Sequence, residues 1–493
     1  MKRLITVRHG QSESNRQRVI QGKTTNLGLT EKGKNEIKEV VAQNIEDLST
    51  AEKIVSSPYK RTIETSEIIA EATGLPIVTS ERIVEFDSGI LAGNTHEENA
   101  KMYPEYYRIW LERKDLDGIP GAEKGSELQA RVLAFLMEYY NKEEFVDIVV
   151  SHAGFLRCLI NTSRGLSRTT PVDSKNGAIN IIDNPFDHLK IEHKNRAMTS
   201  RVFVVETLED KYVVKLKNRS LLPEDYEERR ILDLINTKVG SIPTVLSLFG
   251  TGNSSSKVLK FVNGDNIFGI LDEVSKQALI EKFCKMSNVL THIETKVYKP
   301  NDIYAEIQKL ENSAKNSYIK RYGQSILKDK INKSKLETSK YCLIHNDLNR
   351  DNILFERNGD GTVNVNIVDW EGLGLYPYDY QLASFLVSAI LLEGYSVDET
   401  MKIAGEIDSN IDENFITYLM KFRISKGLHF FAENRNIYTV SNKKVSNEIL
   451  KKYFFAAEKL DRYRVKNKFI NTNKILHEVN FQNVFQSNDE RGI

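Results

Sequence analysis

The chain has 493 residues, 40% hydrophobic and 28% charged, with a net charge of +1. That length exceeds one ordinary core and implies two or three domains, while the balanced charge argues against nucleic acid or an anionic membrane as the main partner. No run approaches the roughly 18 apolar residues of a membrane span, and the Met-Lys-Arg start passes at once into a strand too short for a signal peptide. Three cysteines, Cys158, Cys284 and Cys342, lack metal spacing and read as inert thiols of a cytoplasmic protein.

In chain order, Leu4 to Val7, Ile54 to Ser56 and Ile148 to Ser151 are short apolar runs rich in β-branched residues, as buried parallel strands are. Between them, Thr30 to Asn44, Lys60 to Ala72 and Ser126 to Tyr140 repeat apolar residues at helical spacing. Thr30 and Ser126 are candidate N-caps, and Gly74 before Pro76 is a helix stop. This alternation predicts an α/β doubly wound sheet over residues 1–185.

A polar stretch, 186–197, reads as a linker between two separately folding halves. Arg201 to Thr207 and Lys211 to Leu216 then form a hairpin pattern, followed by an amphipathic helix from Glu224 to Asn236 and strands near Ile242 and Lys257. After residue 270 the pattern is helical apart from Cys342 to Asp369. A β-rich lobe before a larger helical one is α+β and bilobal, over residues 198–470. Residues 471–493 read as a polar tail. There are no internal repeats.

Two constellations carry chemistry. Arg8, His9 and Gly10 end the first strand, with Ser12 and Asn15 beyond. A histidine so placed reads as a phosphoryl acceptor. Far downstream, His345, Asp347 and Asn352 are followed by Asp369 at the end of another apolar run. That set reads as a kinase base with its metal ligands. A chain holding both is equipped to remove phosphate at one site and add it at another.

The first constellation resembles the histidine phosphatase superfamily, also called phosphoglycerate mutase-like. Its motifs occur in order: Arg8-His9-Gly10, Leu29-Thr30-Glu31-Lys32-Gly33, Ser56 to Thr65 with Arg61, Glu85 to Gly89, and Ser151-His152-Ala153-Gly154. The resemblance implies a phosphate pocket of Arg8, Arg61, His152 and Asn15, His9 as nucleophile, and Glu85 as the proton donor, with Asp87 as the alternative acid. No cofactor is implied for that half. The residues after Glu85, Phe86 to Gly93, look like the hydrolase branch rather than the mutase branch.

The second half resembles the aminoglycoside phosphotransferase and choline kinase superfamily. The resemblance implies Asp347 as base, Asn352 and Asp369 as magnesium ligands, Lys215 at the nucleotide phosphates, and Glu228 (or Glu227) as its ion-pair partner. ATP or GTP is the expected donor. No Gly-x-Gly-x-x-Gly precedes Lys215; Asn195 to Ser200 occupies that place. The expected partners are a small phosphate ester, a small alcohol and a nucleotide, with oligomeric state open. The combined reading is a bifunctional enzyme whose two activities follow one another in a biosynthetic pathway, such as one leading to surface polysaccharide. Opposing control of one metabolite, or a binding protein with an inactive kinase half, are the alternatives.

Overall fold

The computed structural model describes residues 1–113, 117–194, 200–240, 242–251, 253–314, 317–433 and 440–467. The expected tail at 471–493 and most of the segment Asn195 to Ser200 lie outside the described residues. The chain forms two compact units, residues 1–233 with 243–261, and residues 234–242 with 262–493.

The first unit opens with the predicted α/β sheet. Strands β1 (Lys2–Arg8), β2 (Lys53–Ser56), β3 (Ile77–Thr79), β4 (Phe145–Ser151) and β5 (Ile179–Asp183) lie in the order β3-β2-β4-β1-β5. The first four are mutually parallel where they pair, and β5 closes the edge antiparallel to β1. Helices α1 (Glu31–Gln43), α2 (Lys60–Thr73), α3 (Gly125–Met137) and α4 (Ala153–Ser163) connect or follow these strands. The Thr30 hydroxyl caps α1 by accepting from Gly33 N at 2.9 Å. Gly74 ends α2 in the left-handed region, φ 73°. Ser126, expected as a cap, sits inside the first turn of α3. The cap position is Lys124, whose backbone N–H donates to Glu127 Oε2 at 3.0 Å.

A second sheet belongs to this unit: β6 (Lys190–Lys194), β7 (Arg201–Glu206), β8 (Lys211–Lys217), β9 (Val245–Thr251) and β10 (Ser254–Lys260), antiparallel in the order β6-β7-β8-β10-β9. Two expectations change here. The stretch 186–197 supplies the strand β6, and the compact units do not divide there. The physical reason is α3. It is buried on every side, as an all-round apolar helix must be, and it packs against β8, β9 and β10. One continuous core therefore holds Leu133, Phe135 and Phe155 together with Phe203, Val214 and Val258. Tyr212 Oη donates to Gln129 Oε1 across it at 2.7 Å, and the Arg82 guanidinium stacks over Phe249 at 4.8 Å. Tyr212→Phe should leave Gln129 Oε1 without its donor and lower the melting temperature by a few degrees, about 1–3 kcal/mol; an unchanged melt would make that bond incidental.

The second unit pairs β11 (Tyr341–Ile344) with β14 (Gly374–Pro377) and β12 (Ile353–Arg357) with β13 (Val363–Ile367). The unit also holds long helices, among them Glu273–Leu290, Glu413–Glu433 and Val440–Asn467. None of the described helices is long and apolar enough to cross a membrane.

Candidate active sites

The first site forms where β1 and β4 end. His9 N donates to Ser151 O at 3.1 Å, which locks the two strand ends together. The His9 ring turns Nδ1 toward its neighbour's carbonyl, Gly10 O, at 2.8 Å. A carbonyl only accepts, so the proton sits on Nδ1 and the Nε2 lone pair is left for attack. Burial first, then Arg8 and Arg61, hold the His9 imidazole well below its ordinary pKa. It is neutral, as a nucleophile must be.

Arg61 lies on α2, buried, and donates from Nε to His152 Nδ1 at 3.2 Å and from Nη1 to Thr25 O at 2.9 Å. Burial lowers it to about 10, so it stays charged at neutral pH. Since Arg61 can only donate, His152 accepts at Nδ1 and carries its proton on Nε2, 2.9 Å from Ser57 Oγ. His152 is also held well below its ordinary pKa, by burial and then by Arg61. The His9 and His152 rings meet edge-on with centroids 5.3 Å apart. Arg8 donates from Nη1 to Ser174 O, while its Nε is buried without a partner. A buried orphan donor atom near the buried Arg61 suits a phosphate oxygen.

Glu85 reaches the start of α4, where its carboxylate accepts from Gly154 N and Phe155 N, each at 3.2 Å, and from Phe86 N at 3.1 Å. Gly154 is required there: a Cβ would stand 1.8 Å from the Phe86 ring. Gly33 has a similar reason, since a Cβ would meet Gln11 O at 2.2 Å. The Glu85 loop is held by Arg131 of α3, which donates to Arg82 O and Val84 O at 2.7 and 2.8 Å and forks onto Glu123 at 2.8 and 2.9 Å. Burial works against the Glu123 charge, but Arg131 keeps its carboxyl below the ordinary range. Asp87 sits on the same loop, where its Oδ1 accepts from Gly89 N at 3.0 Å. Asn15 is a capping residue here: its Oδ1 accepts from Ser12 N and Oγ at 3.1 and 2.9 Å. Its Nδ2 is the group a phosphate contact would use. His96 is half-buried, with Nδ1 2.9 Å from Tyr107 Oη.

These two imidazoles carry a pH signature. Their folded pKa values lie below the unfolded value of about 6.5, so the unfolded chain takes up protons first as pH falls. Their stability contribution is full above that value and is lost toward acid. Thermal melts should fall from pH 7.5 to 5.5, and His152→Asn should flatten the slope; equal slopes would contradict buried neutral imidazoles.

Comparison with known proteins decides the family. The histidine phosphatase superfamily (branch 1) model matches residues 4–196. Phosphoserine phosphatase 1 of Hydrogenobacter thermophilus is 36% identical over 160 residues, 32% of this chain and 74% of that protein. This chain belongs to the histidine phosphatase superfamily. A probable phosphoglycerate mutase of Enterobacter sp. is 34% identical over 168 residues, 34% of this chain and 76% of that protein. Behind the phosphatase domain, residues 195–400 match the phosphotransferase enzyme family. A solved spectinomycin phosphotransferase, in complex with ADP and spectinomycin, covers 56% of this chain and 93% of its own at 12% identity and a TM-score of 0.40. The two family matches place a histidine phosphatase domain before a phosphotransferase-family domain.

The kinase residues fall in both compact units. In the first, Glu228 of the helix Pro223–Val239 is buried and accepts from Lys257 Nζ at 2.9 and 2.8 Å, one bond to each oxygen. Lys257 belongs to β10, and Lys215 stands directly opposite it on β8. Directly opposed residues share a sheet face. Lys257 is therefore a bidentate partner of Glu228, on the same sheet face as the expected Lys215.

In the second unit, the buried His345 places Nε2 3.1 Å from Val368 O, and its ring meets Trp370 edge-on at 4.6 Å. Burial lowers its pKa. Asn352 donates from Nδ2 to Asp347 O at 2.9 Å and toward Asp347 Oδ2 at 3.3 Å. Val368 N donates to Asn352 O at 2.9 Å, tying the base loop to the strand before Asp369. Asp369 itself has φ 60°, a left-handed conformation rare for a residue with a side chain. Arg423 Nη2 lies 3.4 Å from Asp347 Oδ1. Burial opposes its charge, but Tyr453, Tyr380 and Asp347 raise its pKa overall. Sequence reading missed Arg423 and Lys257. Arg423, between Phe422 and Ile424, is a charge among apolar neighbours, which was an available signal; Lys257 follows three serines and gave none.

The magnesium expectation fits these donors. With Asn352 Nδ2 turned to Asp347, its Oδ1 is left for a cation, and Asp369 adds a carboxylate, both hard oxygen ligands. Among the described residues no group of three or more His, Cys, Asp or Glu could hold a metal.

Proposed function

We propose that the first site is a phosphomonoesterase acting through a phosphohistidine, and the second an ATP- or GTP-dependent kinase of a small hydroxylated metabolite. The carrying observation is the His9 geometry: Nδ1–H engaged by Gly10 O, Nε2 unprotonated, with Arg8, the buried Arg61 and His152 around it. His9 Nε2 attacks phosphorus, the bond to the ester oxygen breaks, and Glu85 supplies the proton that oxygen takes. Water then cleaves the P–N bond, giving its proton to Glu85. The hydrolase pattern after Glu85 and the phosphoserine phosphatase relative support hydrolysis over mutase transfer.

In the kinase, Asp347 takes the proton of the acceptor hydroxyl as its oxygen bonds to the γ-phosphorus and the bond to the ADP oxygen breaks. Magnesium held by Asn352 and Asp369 would neutralise phosphate charge. Lys215 and Lys257 serve the nucleotide phosphates, with Glu228 accepting from Lys257. The setting is cytoplasmic. The two activities follow one another, because unregulated opposition at one metabolite would hydrolyse nucleotide to no end, and no regulatory module is apparent in the sequence.

Glu85→Gln separates acid catalysis from binding. Hydrolysis of alkyl phosphates should fall about 10²–10⁴-fold, while nitrophenyl phosphate, whose leaving group needs little protonation, should lose far less. Equal losses would move the acid to Asp87.

A further inference from the structure

Beside the kinase base runs a chain of polar groups, Tyr376 buried and the others half-buried, that phosphoryl transfer itself does not require. Asn346, the residue before Asp347, donates from Nδ2 to Tyr376 Oη at 3.1 Å. Lys426 Nζ lies 3.3 Å from the same Tyr376 oxygen and 2.8 Å from Glu306 Oε1. The Lys426 ammonium also stands over the Tyr376 ring at 5.3 Å and the Phe422 ring at 5.4 Å. Two aromatic faces and a carboxylate are what an organic cation seeks. Here the chain's own side chain fills that place. One turn away on the same helix, Arg423 adds a second cation against Asp347.

The same cluster holds unmet hydrogen-bonding capacity. Asn346 Oδ1, Glu306 Oε2 and Arg423 Nε are all buried without a partner. Two are acceptors and one is a donor. Buried polar atoms of this kind cost stability unless something pairs with them. Hydroxyl groups both donate and accept, so a compound with several of them could satisfy all three. A cationic acceptor would instead bring a third positive charge to Arg423 and Lys426. Burial lowers the Lys426 pKa against the pull of Glu306, and the two carboxylates here are already matched, Glu306 by Lys426 and Asp347 by Arg423.

Resting on the kinase reading above, we infer that Lys426 acts as an internal cation closing the Tyr376–Phe422–Glu306 place, so that the acceptor is an uncharged polyhydroxy compound, a sugar or polyol, held by Asn346, Glu306 and Arg423. The residue is thus a specificity determinant that works by exclusion.

The test uses the full chain carrying His9→Ala, so that products are not hydrolysed, with magnesium-ATP and a panel of neutral polyols and sugars, hydroxy acids and amino alcohols, followed by ADP release. Neutral polyols should be turned over with a kcat/KM at least about 10-fold above amino alcohols, the worth of one well-placed polar interaction. Lys426→Met should narrow or reverse that ratio by a similar factor, a gain for amino alcohols that damage to the fold would not produce. Asn346→Ala should raise the polyol KM about 10-fold with magnesium-ATP affinity unchanged by calorimetry. If Lys426→Met does not fold, Glu306→Gln carries the test through the same rise in polyol KM. Preference of the parent for amino alcohols or hydroxy acids, or an unaltered ratio in Lys426→Met, would overturn the inference while leaving a kinase. Failure to turn over any acceptor would overturn the kinase reading itself.

Discussion

His9→Ala should abolish phosphate release from the full chain, with kcat falling on the order of 10⁶-fold, the scale on which loss of a covalent nucleophile registers. No neighbour can replace it. His152 is the nearest imidazole, but its Nδ1 lone pair is engaged by Arg61 Nε and its Nε2 proton faces Ser57. Acid-labile, base-stable phosphate trapped on the parent chain by rapid quenching should be missing from the variant. Retention of even a few per cent of activity would place the nucleophile elsewhere.

The second large effect concerns where the chain can be cut. A fragment ending at residue 194 should lose cooperative folding, although residues 186–197 look like a linker in sequence. Such a cut strips Phe203, Val205, Tyr212, Val214 and Val258 from the core they share with α3. Each such side chain is worth about 1.5–3 kcal/mol when fully buried, so the sum is comparable to the roughly 5–15 kcal/mol that stabilises a whole domain. Calorimetry on the fragment should show a broad, early transition and binding of a hydrophobic dye. A sharp transition at the temperature of the intact chain's first melt would restore the independent-halves view.

Local chemistry was legible in sequence where it depends on residues close along the chain. The strand-end Arg8-His9-Gly10 run, the Thr30 cap and the Gly74 stop need only their neighbours, and each has a counterpart in the fold. What escaped was set by partners far away in sequence. The apolar residues of α3 fit one buried face equally well as two, and only packing against β8 to β10 reveals the second. Lys257 reads as part of a strand until Glu228, 29 residues before it, is brought onto it by the helix Pro223–Val239. Arg423 lies 76 residues from Asp347, on a helix whose periodicity says nothing of what it faces. Asn15 shows the converse. Its spacing suits a phosphate contact or a capping box; its Oδ1 closes the box with Ser12, and a phosphate contact would fall to its Nδ2.

The central claim is that one chain removes phosphate at His9 and adds it at Asp347. It is tested most directly by transfer of label from γ-labelled ATP into small-molecule acceptors, comparing His9→Ala with His9→Ala/Asp347→Ala in the full chain with magnesium. A labelled alcohol phosphate should accumulate with the first and be absent with the second, although both bind magnesium-ATP alike. Equal label transfer by the two variants, or none by either across sugars, polyols, hydroxy acids and amino alcohols, would contradict it.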